Sequence, residues 1–329
     1  MTLESPARVK VKGINQVCLV VKDVRLVAEN YWNILGIGPW VFIDWTSPLV
    51  YDYQVREKPT WARATLGLAQ VGDVQLELVE HRDGDSIYKE FLDEHGEGLH
   101  HMNFLVDDVD QAVAELKKEG FSSLQSGRVL DGAYNYMDVT KPLRTIWEAV
   151  KMPTQDMPGT VWPEPGVESP AKVKVKGINQ VCLVVKDIRL VAENYWNILG
   201  IGPWVFIDWT SPLVYDYRVR EKPTWARVTL GLAQVGDVQF ELVEHRDGDS
   251  IYKEFLEEHG EGLHHMNFLV DDVDQTVAEL KREGFFSLQS GRFLDGVYNY
   301  VDVTKPLRTI WEAVKMPTQD MPGTVWPEG

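Results

Sequence analysis

From Gly13 to Val21 the chain is a run rich in Val, Leu and Ile, which predicts a strand. The spacing then turns helical over Asp23 to Leu35, with Val24, Leu26, Val27, Tyr31 and Ile34 on one face and Gly36 as the stop. Trp40 to Trp45 reads as a short aromatic strand. Arg63 to Ala69 and Val74 to Val79 read as two strands joined through Gly72-Asp73, a tight-hairpin signal. The order is strand, helix, three strands. It recurs with a strand at Leu99 to Val106, a helix at Val109 to Glu119, and strands at Ser122 to Leu124, Tyr134 to Val139 and Thr145 to Val150. Gly13 to Val24 aligns with Gly98 to Val109, so two βαβββ units follow one another, at 9–80 and 97–150.

The same text is then repeated. Glu4 to Glu164 and Glu168 to Glu328 align without a gap at an offset of 164, and 12 of the 161 positions differ. A period this long means tandem domains rather than a solenoid. The chain therefore holds four βαβββ units of an α+β fold: a domain at 1–152, a second at 171–329 (units 173–244 and 261–314), and between them a Pro-rich tail and linker at 153–170. About 20 extended residues reach on the order of 60 Å, enough for the second half to dock on the first as a pseudo-dimer. The tail recurs at Pro317 to Glu328, so it is expected to pack on its own half as well. A recent duplication or an engineered fused dimer accounts equally for the near identity.

Composition narrows the partners. A net charge of −17 argues against nucleic acid and anionic membranes, and no apolar stretch approaches a bilayer span. The start, Met1 to Pro6, lacks the charged and apolar regions of a signal peptide. Each half has one cysteine, Cys18 or Cys182, which excludes a disulfide within a half and points to a reducing cytoplasm. Cys18, in an apolar strand, reads as an inert buried thiol.

Strand alternation sorts the polar residues by face. Val17, Leu19 and Val21 form the set under the helix, leaving Gln16, Cys18 and Val20 opposite; Met102, Phe104 and Val106 likewise leave His101 and Asn103 opposite. Val74 to Val79 aligns with Thr145 to Val150, which makes Glu77 and Glu148 equivalent carboxylates in apolar strands. A lone carboxylate there is costly to bury. Two of them, with His101 and its equivalent Gln16, suggest four side chains converging on one cation, repeated as Gln180, Glu241, His265 and Glu312. One imidazole, two carboxylates and an amide suit Zn, Co, Mn, Ni or Mg.

On these segments the chain resembles the vicinal oxygen chelate superfamily, which includes glyoxalase I, methylmalonyl-CoA epimerase, extradiol dioxygenases and antibiotic-resistance proteins. The resemblance implies paired βαβββ units curled into a cleft, with the four positions holding a divalent metal. The set Gln, Glu, His, Glu is similar to that of glyoxalase I. The text around Asp85 to Leu92 and Gly96 to His101 is more similar to the epimerases, which usually carry His and then Gln at the first two positions. Glutathione anchors are missing, since their positions fall on Val20, His81 and Glu97. The resemblance implies Lewis-acid chemistry beside a carbonyl, with Glu148 and Glu312 as the proton-moving bases and Glu77 and Glu241 as the symmetric alternatives. The product class is an isomerase, epimerase or lyase acting on a small molecule at two sites per chain. Whether a site closes within one half or across both stays open.

Two other readings are a metal-free drug-binding module and, less favoured because Gln16 breaks the two-His-one-Glu triad, an Fe(II) dioxygenase. Trp40, Trp45 and Trp61, with Tyr51 and Tyr53, either line an aromatic cleft or fill core. Asn103, Asn267, Ala64 and its counterpart Val228 join them as pocket candidates. His100 is expected on the opposite face from His101, and His81, His95, Arg56, Arg63 and Lys141 on solvated surface. Six of the differing positions change apolar or small residues, Val129 to Phe293 and Leu76 to Phe240 among them, from which slightly different pocket volumes are expected.

Overall fold

The computed structural model describes residues 4–327; residues 1–3, on which part of the leader reading rests, and 328–329, at the end of the repeat, lie outside them. The first half runs β1 (Gly13–Val21), α1 (Val24–Leu35), β2 (Trp40–Trp45), β3 (Val50–Val55), β4 (Lys58–Pro59), β5 (Ala62–Val71) and β6 (Val74–Gly84). It continues through α2 (Ile87–His95), β7 (Gly98–Leu105), α3 (Val109–Lys118), β8 (Ser123–Val129), β9 (Gly132–Met137), α4 (Thr140–Leu143), β10 (Ile146–Lys151) and β11 (Thr160–Trp162). The second half repeats this order from Gly177–Val184 to Thr324–Trp326.

Local chemistry sets the helix ends. Asp23 caps α1 by accepting from the Leu26 amide, and Gly36 ends it in the left-handed conformation (φ 69°). The buried stripe of α1 is Val24, Val27, Ala28, Tyr31, Trp32 and Leu35, while Leu26 faces solvent, so the helix is rotated slightly from the expected face. Asp108 caps α3, and Lys117 and Lys118 sit in its last turn, where the helix dipole favours cations. Gly72-Asp73 closes the β5–β6 hairpin with Val71 opposite Val74.

Each half builds one eleven-stranded sheet in the order β11-β2-β5-β6-β1-β7-β10-β9-β8-β3-β4. The two units meet where β1 lies antiparallel to β7, and each of these strands has a parallel partner on its other side, β6 and β10. β3 leaves its own unit to pair with β8 of the other, Val50 opposite Val129, and β11 extends the far edge on β2.

Alternation divides the apolar residues between two faces. Val17, Leu19, Val21, Leu76, Leu78, Met102, Phe104 and Trp147 pack under the helices in a core that both halves share. Each fully buried Val or Leu contributes roughly 1.5–3 kcal/mol. Cys18, Val20, Leu66, Leu68, Val79 and Tyr136 occupy the other face, in a smaller cluster separate for each half.

The seam between halves is specific. Tyr31 donates to the Leu307 carbonyl at 2.9 Å and Tyr195 to the Leu143 carbonyl at 2.8 Å, both buried. Arg144 pairs with Glu261 and Arg308 with Glu97, each at 3.1 Å. Gly72, at φ +66°, meets the Gly177 backbone so closely that a Cβ would lie 2.9 Å from its Cα. The amino-terminal arm crosses over: Ser5 bonds to the Trp196 carbonyl and the Val11 amide to Leu199. The linker returns the exchange, Ser169 bonding to the Trp32 carbonyl and the Val175 amide to Leu35.

Candidate metal centre

The strand register gathers the polar residues into two neighbouring rows. Glu77, Cys18 and His101 are opposite one another across β6, β1 and β7; Gln75, Gln16, Asn103 and Glu148 form the next row across β6, β1, β7 and β10. All belong to one half, and the second half repeats them on its own strands. The candidate site therefore closes within a half.

His101 is fully buried, with Nε2 3.5 Å from Oε2 of Glu77 and 3.4 Å from Oε2 of Glu148. Among the described residues, Oε2 of Glu77 and Nε2 of His101 have no hydrogen-bond partner in good geometry, and the same holds at Glu241 and His265. Buried polar atoms normally find partners. Orphan donor atoms of a carboxylate and an imidazole turned toward each other fit a cation between them, so the residues suit the divalent metal that the superfamily typically binds. Sγ of Cys18 lies with donor atoms of Glu77 and His101 inside 4.8 Å of one another.

The neighbours hold this arrangement in place. Asn103, fully buried, donates to Oε2 of Glu148 at 3.0 Å. Gln16 donates to Oε1 of Gln75 at 2.7 Å, which turns its own carbonyl away from that partner. Nδ1 of His100 lies 2.8 Å from Nδ1 of His101. With Nε2 of His101 free to face a cation, its Nδ1–H donates to His100, which fixes tautomer and ring orientation.

The charges follow from burial and contact. With no cation between them, burial alone would push His101 down, but the Glu148 and Glu77 carboxylates 3.4 and 3.5 Å away favour its imidazolium, raising it to about 9. Burial would push Glu148 up; close contact with His101 and its charge, with Asn103 and Tyr136, keep it below the usual carboxylate value. Burial, then the neighbouring Glu77, pushes the Cys18 thiol well up, so it stays protonated. Burial likewise lifts the Tyr88 and Tyr136 phenols, leaving them neutral donors, 2.7 Å apart.

A small cavity of about 40 Å³ opens over Gln16, Glu77 and Glu148, and another of about 40 Å³ over Gln180, Glu241 and Glu312. The near-equal sizes differ from the expected volume difference. Of the six apolar or small substitutions, Val129 to Phe293 is the one that lines these cavities, and it alters shape more than size.

The structure distributes the sequence-predicted pocket residues unevenly. Trp45 lines the first cavity and Trp209 the second. Trp40 does not: it is fully buried, and its indole donates to the Ile37 carbonyl in the shared core. Trp61 is 58% exposed and borders, with Ala64, Tyr51 and Tyr53, an outer groove on the far side of Trp45 and Tyr88. Val228 is packed in the cluster around the second cavity. Asn103 and Asn267 lie behind the carboxylates Glu148 and Glu312 as hydrogen-bond donors rather than as cavity walls.

His100 corrects the alternation argument. The β1–β7 register shifts between Cys18 and Leu19, so His100 bulges and its ring meets His101 on the site side, against Tyr88 and Phe91. His81 is half-buried, not simply solvated: its Nδ1 bonds to Ser86, the cap of α2. His95 is exposed as expected. Tyr88, Tyr136 and Gln75 were missed; an unbroken period-two reading across Val74 to Val79 would have put Gln75 beside Glu77. Cys18 is buried as read, yet it stands at the centre of the site.

Residues 15–137 and 179–296 match the family described as Glyoxalase/Bleomycin resistance protein/Dioxygenase superfamily. The uncharacterized protein YqjC of Bacillus subtilis (strain 168) is 27% identical over 103 residues, 31% of this chain; the chain spans 64% of that relative's length. A variant of 4-hydroxymandelate synthase from Streptomyces coelicolor superposes with a TM-score of 0.63 at 16% identity, over 95% of both chains. A xylose isomerase-like TIM barrel/4-hydroxyphenylpyruvate dioxygenase fusion protein gives 0.55 at 12% identity, over 97% of this chain and 51% of the other. At such identities the likeness is one of fold. No helix among the described residues is long and apolar enough to cross a membrane.

Proposed function

The chain belongs to the Glyoxalase/Bleomycin resistance protein/Dioxygenase superfamily, and on that premise we propose that it is a divalent-metal-dependent isomerase, epimerase or lyase. It moves a proton beside a carbonyl, at two sites per chain. The observation that carries this reading is the pair of orphaned buried atoms, Oε2 of Glu77 and Nε2 of His101, within reach of Glu148 beneath a cavity whose other walls are largely apolar or aromatic.

Gln16, Glu77, His101 and Glu148 would hold the cation, as Gln180, Glu241, His265 and Glu312 would in the second half. Bound there, a divalent ion supplies Lewis acidity, easing negative charge onto a carbonyl oxygen. The rest falls to the chain. Glu148, oriented by Asn103 and kept ionised by its surroundings, takes the proton from the adjacent carbon. The C–H electron pair moves into the enolate, and the carboxyl returns the proton to the same carbon or its neighbour. Glu77 is the symmetric alternative. Trp45, Tyr134 and Met152 exclude water, and Tyr88 and Tyr136 stay protonated as neutral donors.

A metal-free binding module would leave two carboxylates and an imidazole buried without purpose, at a cost of several kcal/mol. Iron-dependent oxygenation is disfavoured by Gln16, an amide where the triad needs an imidazole. The test is metal content beside exchange of the substrate's α-proton in deuterated water. About two divalent ions per chain, lost in Glu148→Ala/Glu312→Ala together with exchange, are expected. A folded wild-type chain that takes up no divalent ion sinks the reading.

A further inference from the structure

We infer that each site takes an uncharged carbonyl compound bearing an aromatic or branched apolar group, and turns away the same compound when its far end carries a carboxylate or phosphate. This deepens the proposed function and rests on it.

The cavity walls carry the argument. Their polar groups gather on one side, at Gln16, Gln75, Glu77 and Glu148, where the carbonyl would lie. The remaining surface is apolar or aromatic: Trp45, Leu66, Leu68, Val150 and Met152 among others. No lysine or arginine lines either cavity among the described residues. Arg56, Arg63 and Lys141, expected on solvated surface, do not reach the cavity. Arg56 pairs with Glu90 at the surface, and Arg63 and Lys141 are exposed outside the cavity. An anionic tail would lose its water, find only neutral phenol donors such as Tyr134 and no cation, and face a chain of net charge −17. An apolar ring instead finds apolar and aromatic walls to pack against.

The tail adds to the apolar rim. Met152, Pro153 and Met157 line the first cavity, and Met316 and Met321 the second. Unbranched thioether side chains adapt to apolar shapes and give a charge nothing to pair with. Each Pro-rich tail is therefore part of the recognition surface of its own half, besides being a connection.

The experiment is calorimetric binding of two probes to the full chain: 2-hydroxyacetophenone, which is neutral, and its counterpart with a carboxylate at the para ring position. Titrations are run on the metal-loaded chain, on the chelator-treated chain and on Glu148→Gln/Glu312→Gln. The neutral probe is expected to bind at least about tenfold more tightly than the carboxylated one in all three, because the discrimination lies in the walls. Equal or tighter binding of the carboxylated probe overturns the inference, as does failure of the neutral probe to bind at millimolar concentration. Deuterium exchange on the same probes separates the two ideas. Neutral preference without exchange leaves the recognition intact and defeats the proposed reaction; exchange that favours the carboxylated probe does the reverse.

Discussion

Removing the Asn103 amide tests whether the carboxylate at the site is positioned or merely present. Asn103 donates to Oε2 of Glu148 at 3.0 Å in a fully buried setting, and Asn267 does the same for Glu312 at 3.1 Å. In Asn103→Ala/Asn267→Ala each carboxylate loses that donor. A hydrogen bond to a charged group is worth about 1.5–3 kcal/mol. The partners of metal-ligating side chains independently contribute 10–100-fold to affinity, about 1.4–2.8 kcal/mol. The two routes agree, so divalent-ion affinity is expected to fall about 10–100-fold at each site. The assay is chelator competition on the full chain, with circular dichroism confirming that the variant is folded. A folded variant whose affinity changes by less than about twofold refutes the reasoning, because the amide would then be core packing and Glu148 would not be a ligand.

The seam makes a second prediction. In Gly72→Ala a Cβ would sit 2.9 Å from Gly177 Cα at a left-handed φ, so destabilisation of about 1–2 kcal/mol from the backbone alone, plus the clash, is expected in urea unfolding. The metal-free protein should lose stability on both sides of neutrality. His101 is raised to about 9, so its contribution is full below its unfolded value near 6.5 and disappears as pH rises through 9. His100 is held well below 6.5, chiefly by burial, so its contribution is present above that value and is lost on acidification. Urea midpoints against pH check both limbs, and metal loading should remove the alkaline one. Phe293 lies 4.7 Å from Trp209 where the first half has Val129. Val129→Phe with the second site silenced by Glu312→Gln should therefore give the first site the shape preference of the second, read as kcat/KM across straight-chain, branched and aromatic ketones.

The sequence-level reading captured the elements whose faces are unambiguous. Val17, Leu19 and Val21 could pack only under a helix, and the duplication then forced Gln16 and His101, and Glu77 and Glu148, into matched positions. Elements with weak patterns were missed. β3 (Val50–Val55) exposes Tyr51 and Asp52 and is held by β8 of the other unit, so its pairing is tertiary rather than local. α2 carries Ser86 as a cap and Ile87, Tyr88, Phe91 and Leu92 at helical spacing, a signal that the charged residues between them masked. The bulge that brings His100 to His101 breaks the period-two rule, and nothing in Gly98 to Val106 announces it. Closure of a site within one half was undecidable from two nearly identical texts, since swapping halves changes none of the candidate ligands.

The shared core has a consequence for symmetry. Two identical chains meeting at a dyad must place the same residue on both sides of it, so every change at their interface is made twice. Here Phe240 stacks against Tyr195 and Trp204 and reaches Phe104 of the other half, whereas the equivalent position in the first half is Leu76. One bulky ring and one smaller side chain thus occupy positions that a homodimer would have to fill with two rings or none. Covalent fusion lets the interior be lopsided, and it ties each half's fit to the particular neighbour it carries. Neither half is an interchangeable spare for the other.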